Sequence, residues 1–396
     1  MIIQSQTNPP TQELILTAEH VLDETLGRHV SLDTGELLQD GIRSYTYRFR
    51  LFEGPHHAPT SVIVKQVKST DKAPYVPQSA TIPAWTFFNE WASLQFLSNE
   101  INGNVFGPRF YGGDAVKGIM VMEDLGEGKR LDHYLMGNDP VAAESALIEF
   151  AAIHGRLHAA TIGRQKEFTR LRRSLGPDTL EDVYQDYAWL DPTFYQTVEL
   201  LGITPEPGAA KELEALKESL LHPDPFLCFI QNDSCPDNCL FRDSTPRLLD
   251  FEGGTFDHAM KEGVYGRMHF PTCRYVYRMP EHIPLRMEAA YRDELIKGCP
   301  EAQDEKLFSS AVAEACVYWM IRWYQMDPLM KSLENDVFIV AATSRQRHLL
   351  RSQIVAQTTK EAGHMEAIGA TIGAMAAKMR ALWPKAAYVP AYPAFR

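Results

Sequence analysis

The sequence predicts an α/β protein of the α+β kind with two lobes, a small one built on an antiparallel sheet and a larger one that is mostly helical. Its 396 residues are enough for about two to three domains of roughly 150 residues each. Strand patterns concentrate before residue 125 and helical patterns dominate after it, so we place the domains at 1–125 and 126–396. Hydrophobic residues make up 45% and charged residues 23% of the chain, an ordinary globular balance that excludes wholesale disorder.

The first domain, 1–125, is expected to begin with a helix and to continue with strands. Apolar residues recur on one helical face from Leu14 to Leu22, and Gly27 is expected to end this helix. The remaining expected elements are, in order, strands over 45–51 and 61–65, a polar proline-bearing insertion over 66–82, a helix over 83–97 and a buried strand running into a turn over 118–126.

The second domain, 126–396, is expected to be mostly helical and to carry one short hairpin. Asp139 followed by Pro140 is a typical helix start, because the carboxylate can cap unpaired N–H groups and proline fits the first helical position. The other expected elements are a strand over 226–230, a hairpin with strands 239–241 and 247–249 and a turn over 242–246, and helices over 311–324 and 337–351.

Composition and charge argue against a nucleic-acid-binding protein and against a membrane protein. The formal net charge is −12, and because nucleic-acid binders need a basic surface, no nucleic-acid partner is expected. The longest apolar runs are too short to cross a bilayer and the first residues do not resemble a secretory signal, so no membrane association is expected. The six cysteines lack zinc-binding spacing and are interpreted as free thiols of a cytoplasmic enzyme.

The strongest chemical signal is the run from Asp233 to Asn238, followed by Asp250 at the end of an apolar strand pattern. Phosphoryl transfer needs such a set. One carboxylate orients the attacking hydroxyl and accepts its proton, while an amide oxygen and a second carboxylate hold Mg²⁺ on the phosphates. The hairpin between Asn238 and Asp250 would bring the two metal ligands together. The D-x-x-x-x-N fragment by itself is a weak signal, because such fragments also occur by coincidence in acidic chains.

The first domain supplies residues that suit a nucleotide. Lys65 ends a strand pattern of the V-A-I-K kind and Glu90 lies on the next helix, which matches a lysine on the α- and β-phosphates held by a glutamate. Taken alone, Lys65 is more commonly explained as a strand-end lysine that points to solvent, and Glu90 can equally be an exposed helix glutamate. Ser44 lies just before strand 45–51 and could place its hydroxyl, or nearby backbone N–H groups, on phosphate oxygens.

The order of these motifs resembles that of the aminoglycoside phosphotransferase and choline kinase-like superfamily, whose members share the protein-kinase-like fold. The resemblance spans roughly residues 30–260, and segment 154–161 is similar to the LH-A-T helix end of that group. It implies a role for each matching residue: Asp233 as catalytic base or orienter, Asn238 and Asp250 as magnesium ligands, Lys65 on the phosphates with Glu90 as its partner, and backbone groups around Glu123 and Leu125 for adenine.

The implied reaction is transfer of the γ-phosphate of ATP, with Mg²⁺, to a hydroxyl of a small-molecule acceptor. An aminoglycoside, choline or another amino alcohol, a sugar and a macrolide all fit, and the net charge weakly favours a cation. The family usually has His-Gly-Asp where this chain has Gln231-Asn232-Asp233, although Gln231 can still donate and accept hydrogen bonds. Two alternatives stay open: a nucleotide-binding pseudokinase that acts through partners, and a helical protein in which these motifs are coincidental.

Overall fold

The structure is a computed structural model that describes residues 9–101, 106–177 and 187–396. An antiparallel sheet and a large helical portion confirm the predicted α/β class. The first residues, on which the expectation about a secretory signal rests, lie outside the described residues. Within the described ranges, none of the helices combines the length and apolar character needed to span a membrane.

Two compact units make up the described chain. Unit 1 takes in the described residues of Met1–Gly128, Lys166–Glu181 and Arg247–Gly254, and unit 2 takes in those of Lys129–Gln165, Asp182–Pro246 and Thr255–Arg396. Each unit is discontinuous in sequence, so the continuous domains 1–125 and 126–396 remain a prediction.

Unit 1 is built on an antiparallel sheet in the order β1-β3-β4-β6-β5, with β2 also paired to β3. Its strands are β1 (Ser31–Leu32), β2 (Glu36–Asp40), β3 (Ser44–Glu53), β4 (Ser61–Val67), β5 (Phe110–Asp114) and β6 (Ile119–Glu123). Helix α1 (Gln12–Leu26) packs its apolar residues into one core with buried residues of this sheet. Gly27 ends α1 with a φ of 69°, as predicted, because glycine adopts this left-handed conformation without strain.

Helix α2 (Ile82–Gln95) also belongs to unit 1 and is buried on most sides. Pro83 lies in its first turn, as predicted, and the helix continues into a π-helical turn over Phe96–Glu100. Because α2 is buried so extensively, the polar residues on it need partners inside the unit. Helix α5 (Gln165–Leu175) joins the same unit from residue 166 onward.

Unit 2 is mostly helical. Its helices are α3 (Leu131–Leu135), α4 (Pro140–Thr161), α6 (Leu190–Leu200), α7 (Ala209–Leu221), α8 (Met260–Gly263), α9 (His282–Leu295), α10 (Glu305–Met326), α11 (Leu329–Glu334), α12 (Ser344–Ala362) and α13 (Glu366–Leu382). Asp139 caps α4 by accepting from the N–H groups of Val141 and Ala142, as predicted. Helix α4 packs against α9, and α12 packs against both α10 and α13.

Short strands in unit 2 frame the loop that carries Asp233. Strand β8 (Leu227–Ile230) pairs antiparallel with β11 (Thr255–His258), and β7 (Lys129–Arg130) pairs with β9 (Cys239–Arg242). Strand β10 (Thr245–Leu248) pairs with β9 in a three-stranded sheet in the order β10-β9-β7. Asp233 therefore follows the end of one buried strand and precedes the start of another.

Two predictions about these elements were wrong. The hairpin turn is Asp243-Ser244 rather than 242–246, because both residues take positive φ values of 48° and 64°, so that β9 continues to Arg242 and β10 begins at Thr245. The predicted helix over 337–351 begins only at Ser344, after a hairpin of β12 (Phe338–Ile339) and β13 (Ala342–Thr343). The side chain of Thr343 caps this helix in a capping box with Gln346, which fixes its start.

Candidate active site

Three of the predicted site residues meet in unit 1. The Nζ atom of Lys65 lies 2.5 Å from Oε1 of Glu90 and 3.6 Å from Oδ1 of Asp250. Lys65 comes from β4, Glu90 from α2 and Asp250 from the segment after β10. Val62 and Val64 are buried in the core with α1, so the alternation of side chains along β4 directs Lys65 to the opposite face of the sheet. We call these three residues the Lys65 group.

The electrostatics of the Lys65 group keep the lysine charged. Burial alone would lower the pKa of Lys65, but the carboxylates of Glu90 and Asp250 outweigh burial and hold this pKa above its usual value. Burial raises the pKa of Glu90 to about 7, and Lys65 opposes this shift only in part. The side chains of Lys65 and Glu90 are 18% and 8% exposed. A positioned cation of this kind can offset the negative charge of a polyphosphate.

The segment that carries Asp250 is tied to α2. The side-chain amide of Asn89 donates to the carbonyl oxygens of Glu252 (2.9 Å) and Gly254 (2.7 Å). Glu252 also forms an ion pair with Arg43. Asp250 itself has a φ of 60°, an uncommon conformation for a residue other than glycine, and such conformations cluster at functional sites.

The other predicted nucleotide-binding residues lie at the ends of strands in unit 1. Ser44 begins β3, and its carbonyl accepts from the N–H of Gly41 (3.0 Å), which closes a tight turn. Glu123 ends β6, and its N–H donates to the carbonyl of Arg109 (2.8 Å). Leu125 follows β6 with a buried side chain. Because the Glu123 N–H is already paired, the adenine prediction depends on the Glu123 carbonyl and the Leu125 backbone.

Asp124, between those two residues, is a structural residue of unit 1. Its carboxylate accepts from Arg48 (Nε 2.7 Å), from the Ser61 hydroxyl (2.8 Å) and from the Gly126 N–H (2.9 Å). Burial would raise the pKa of Asp124, but these hydrogen bonds outweigh burial and lower it. Asp124 therefore fastens the end of β6 to β3 and β4.

The predicted catalytic residue, Asp233, lies in unit 2 with an oriented carboxylate. The hydroxyl of Thr272 donates to its Oδ1 (2.9 Å), and the thiol of Cys235 donates to the same oxygen (3.3 Å). The Asn238 amide nitrogen donates to the backbone carbonyl of Asp233 (2.9 Å) and approaches its Oδ2 at 3.5 Å. We call these four residues the Asp233 group. Asp233 is exposed, so its carboxylate can receive a proton from a small molecule that reaches this loop.

The loop of Asp233 is anchored by a buried carboxylate that the sequence did not single out. Oε1 of Glu262 accepts from the N–H of Asn232 (2.6 Å) and from the hydroxyl of Ser234 (2.7 Å), and Oε2 lies 2.9 Å from Nε2 of His158. Glu262 is 1% exposed and His158 is fully buried. Burial would raise the pKa of Glu262, but the hydrogen bonds from His158 and Ser234 and the nearby histidine charges lower it to about 2.

Gln231 and His154 complete this support. Gln231 is buried, and its Oε1 accepts from the Ser234 hydroxyl at 3.4 Å. Nε2 of His154 lies 3.0 Å from the same hydroxyl. His154 and His158 are therefore buried partners of the loop rather than exposed groups, in line with their position on the apolar face of α4. Gln231 thus takes part in holding the loop, at the position where the superfamily that the motif order resembles usually has histidine.

Three residues of the site escaped the sequence analysis: Asn89, Glu262 and Thr272. Asn89 precedes Glu90 in α2, and its hydrogen bonds to the carbonyls of Glu252 and Gly254 show that this turn of the helix faces the segment after Asp250. Glu262 follows Lys261 in a short segment with several charges, so the sequence did not distinguish it from an exposed glutamate. Thr272 carried no signal in the sequence, because its contact with Asp233 joins segments 39 residues apart.

The two predicted magnesium ligands have suitable donor chemistry, each in its own unit. Mg²⁺ prefers carboxylate and amide oxygens. The Asn238 amide nitrogen is engaged by Asp233, which leaves its amide oxygen as the atom that can bind a cation. Asp250 offers a carboxylate whose side chain is 41% exposed. Both residues fit the ion, and the role of each remains a prediction.

No family model matches the chain, and no curated protein sequence matches it. Similar solved structures include a choline kinase from Cryptosporidium parvum Iowa II, at 13% identity and a TM-score of 0.43, with 89% of this chain and 90% of that chain covered. The gentamicin complex of APH(2″)-IIa is 15% identical, with a TM-score of 0.43 and coverage of 93% and 99%. A thermostable mutant of the aminoglycoside phosphotransferase APH(4)-Ia, in ternary complex with ADP and hygromycin B, is 11% identical, with a TM-score of 0.43 and coverage of 91% and 98%.

The solved structures to which this chain is similar thus include aminoglycoside phosphotransferases and a choline kinase, which are the groups that its motif order resembles. At these identities and TM-scores, the role of each residue rests on the chemistry and geometry of this chain itself.

Proposed function

We propose that this protein transfers the γ-phosphate of ATP to a hydroxyl of a small molecule. The observation that carries the proposal is the Lys65 group, in which one partly buried lysine contacts two carboxylates from elements far apart in sequence. Glu90 holds Lys65 in place, and Lys65 then binds the α- and β-phosphates. The Asp233 group supplies the second half of the chemistry.

Asp233 accepts the proton of the attacking hydroxyl in this proposal. Thr272 and Cys235 direct its Oδ1, which leaves the exposed carboxylate aimed by two donors rather than free to rotate. Asn238 and Asp250 would hold Mg²⁺, which would supply positive charge to offset the charge that develops on the phosphates. The remaining contribution of the protein is to position the nucleotide and the acceptor hydroxyl.

Turnover is tested by a screen for ADP release over aminoglycosides, amino alcohols, sugars and macrolides. Asp233→Asn removes the proton acceptor and keeps the shape of the side chain, so kcat is expected to fall by at least about 100-fold. The control is Asp243→Asn, an exposed acidic residue of the nearby hairpin turn that keeps its left-handed backbone as asparagine. Unchanged turnover in Asp233→Asn would refute the catalytic assignment.

Nucleotide binding is tested separately by calorimetry. Asp250→Ala is expected to weaken the binding of Mg-ATP by about 10-fold or more, because a metal ligand and a partner of Lys65 are lost together. Retention of the full metal-dependent affinity would contradict this role.

The alternatives predict other results. A nucleotide-binding pseudokinase would bind Mg-ATP without turnover of any acceptor in the screen. A protein of an unrelated class would show no thermal shift with Mg-ATP.

A further inference from the structure

Two thiols and one carboxylate form a cluster beside Asp233 in unit 2. The Sγ atoms of Cys235 and Cys273 and a carboxylate oxygen of Asp237 all lie within 4.8 Å of one another. Both cysteines are buried and Asp237 is partly exposed. No second group of three or more such ligand atoms occurs among the described residues.

The cluster combines two segments that are distant in sequence. Cys235 and Asp237 belong to the loop of Asp233, whereas Cys273 follows Thr272, the residue that donates to Asp233. All six cysteines of the chain are free, as predicted. Zinc-binding spacing is absent from the sequence because the partner of Cys235 is Cys273, and Cys239, the first residue of β9, lies outside the cluster.

We propose that Cys235, Asp237 and Cys273 bind a thiophilic divalent cation such as Zn²⁺. Two thiolates bound to one tetrahedral zinc at about 2.3 Å each lie about 3.8 Å apart, so the two Sγ atoms, which lie at most 4.8 Å apart, need to approach by about 1 Å at most. Thiolate and carboxylate are ordinary zinc ligands, and three protein ligands leave one position for water or another small ligand. Binding converts both thiols to thiolates.

The bound cation would act on the Asp233 group, and this step rests on the proposed function. Without the metal, the Cys235 thiol donates one of the two hydrogen bonds that direct Oδ1 of Asp233. A metal-bound thiolate has no proton to donate, so that bond is lost and Thr272 remains the donor. The carboxylate is then less well oriented, and the cation therefore inhibits phosphate transfer.

Binding is tested first, without reference to activity. The full chain, stripped of metals and kept reduced by a thiol-free reductant, is titrated with Zn²⁺ against a chromophoric chelator in the presence of excess Mg²⁺. One zinc per chain with a dissociation constant below about 1 µM is expected. Cys273→Ala should weaken this affinity by about 100-fold or more, while the control Cys239→Ala should not change it. Absence of submicromolar binding, or equal affinity in Cys273→Ala, overturns the proposal.

Spectroscopy with Co²⁺ and a second variant, Asp237→Ala, keep the zinc-binding proposal testable if Cys273→Ala does not fold. Co²⁺ in place of Zn²⁺ should give the near-ultraviolet sulfur-to-metal absorption of thiolate ligands, and Cys273→Ala should lose it. Asp237→Ala changes a partly exposed residue, so if Cys273→Ala does not fold, this variant should still show weakening of about 10-fold or more. Unaltered absorption and affinity in the variants would refute the assigned ligands.

The second part of the experiment measures the effect of zinc on phosphate transfer. Zinc should inhibit phosphate transfer by the unmodified chain and by Cys239→Ala at the concentrations that fill the site, and Cys273→Ala should resist it. Turnover that zinc does not inhibit at full occupancy refutes the inhibitory role. Tight zinc binding by a chain without kinase activity would uphold the site and refute the proposed function, so the two failures are distinguishable.

Discussion

Replacing Glu262 by glutamine is expected to weaken both the fold and the reaction. Glu262 is the buried carboxylate that holds the loop of Asp233 through Asn232, Ser234 and His158. Its pKa is lowered from 4.5 to about 2, and at roughly 1.4 kcal/mol per pH unit this difference corresponds to about 3 kcal/mol of stability at neutral pH. Removing a charged partner from buried hydrogen-bond donors has a cost of similar size.

The pH dependence follows from the sign of this shift. A carboxylate whose pKa is lowered by folding stabilises the fold above its unfolded pKa of 4.5, and that stability is lost as the pH falls through the folded pKa near 2. Urea unfolding, followed by tryptophan fluorescence, should therefore give a difference between the unmodified chain and Glu262→Gln of about 3 kcal/mol at pH 7. The difference should shrink to about 1 kcal/mol at pH 3.

The effect on the reaction is measured in the same variant. A displacement of Asp233 by about 1 Å is expected to lower kcat by about 10- to 100-fold. The control Glu288→Gln breaks an ion pair elsewhere in unit 2, with Arg267 (2.7 Å), and should leave kcat unchanged. A pH-independent stability difference, or an unchanged kcat in Glu262→Gln, would refute the anchoring role.

Two further predictions concern unit 2. Thr272→Val removes a hydrogen-bond donor to Asp233 and keeps the side-chain shape, so kcat should fall about 10-fold and Thr272→Ser should restore it; equal rates in steady-state assays would contradict this. Gly155→Ala would place a Cβ 2.4 Å from the Tyr291 carbonyl and should destabilise the fold by about 2 kcal/mol in urea. The matched Gly373→Ala, with 3.5 Å to its nearest neighbour, should not destabilise it, and equal effects would refute the packing argument.

The sequence was sufficient to predict the start or end of a helix where a few neighbouring residues determine it. The start of α4 at Asp139-Pro140 and the end of α1 at Gly27 follow from capping chemistry and backbone preference, and both were predicted. The predicted turn over 242–246 and the predicted helix over 337–351 failed at their boundaries. An apolar run does not distinguish a strand from a helix, and the positive φ values of Asp243 and Ser244 depend on the strands that flank them.

The sequence by itself determined which residue types are available for phosphoryl transfer and in what order they occur, since Lys65, Glu90, Asp233, Asn238 and Asp250 were all named from motifs. Only the tertiary structure brought Lys65 to Glu90 and Asp250 within unit 1. Only the tertiary structure also brought Glu262 and Thr272 into contact with the loop of Asp233. It likewise placed Cys273 beside Cys235 within unit 2. The physical reason is that such contacts join segments far apart in sequence, and packing and buried polar partners decide them rather than local pattern.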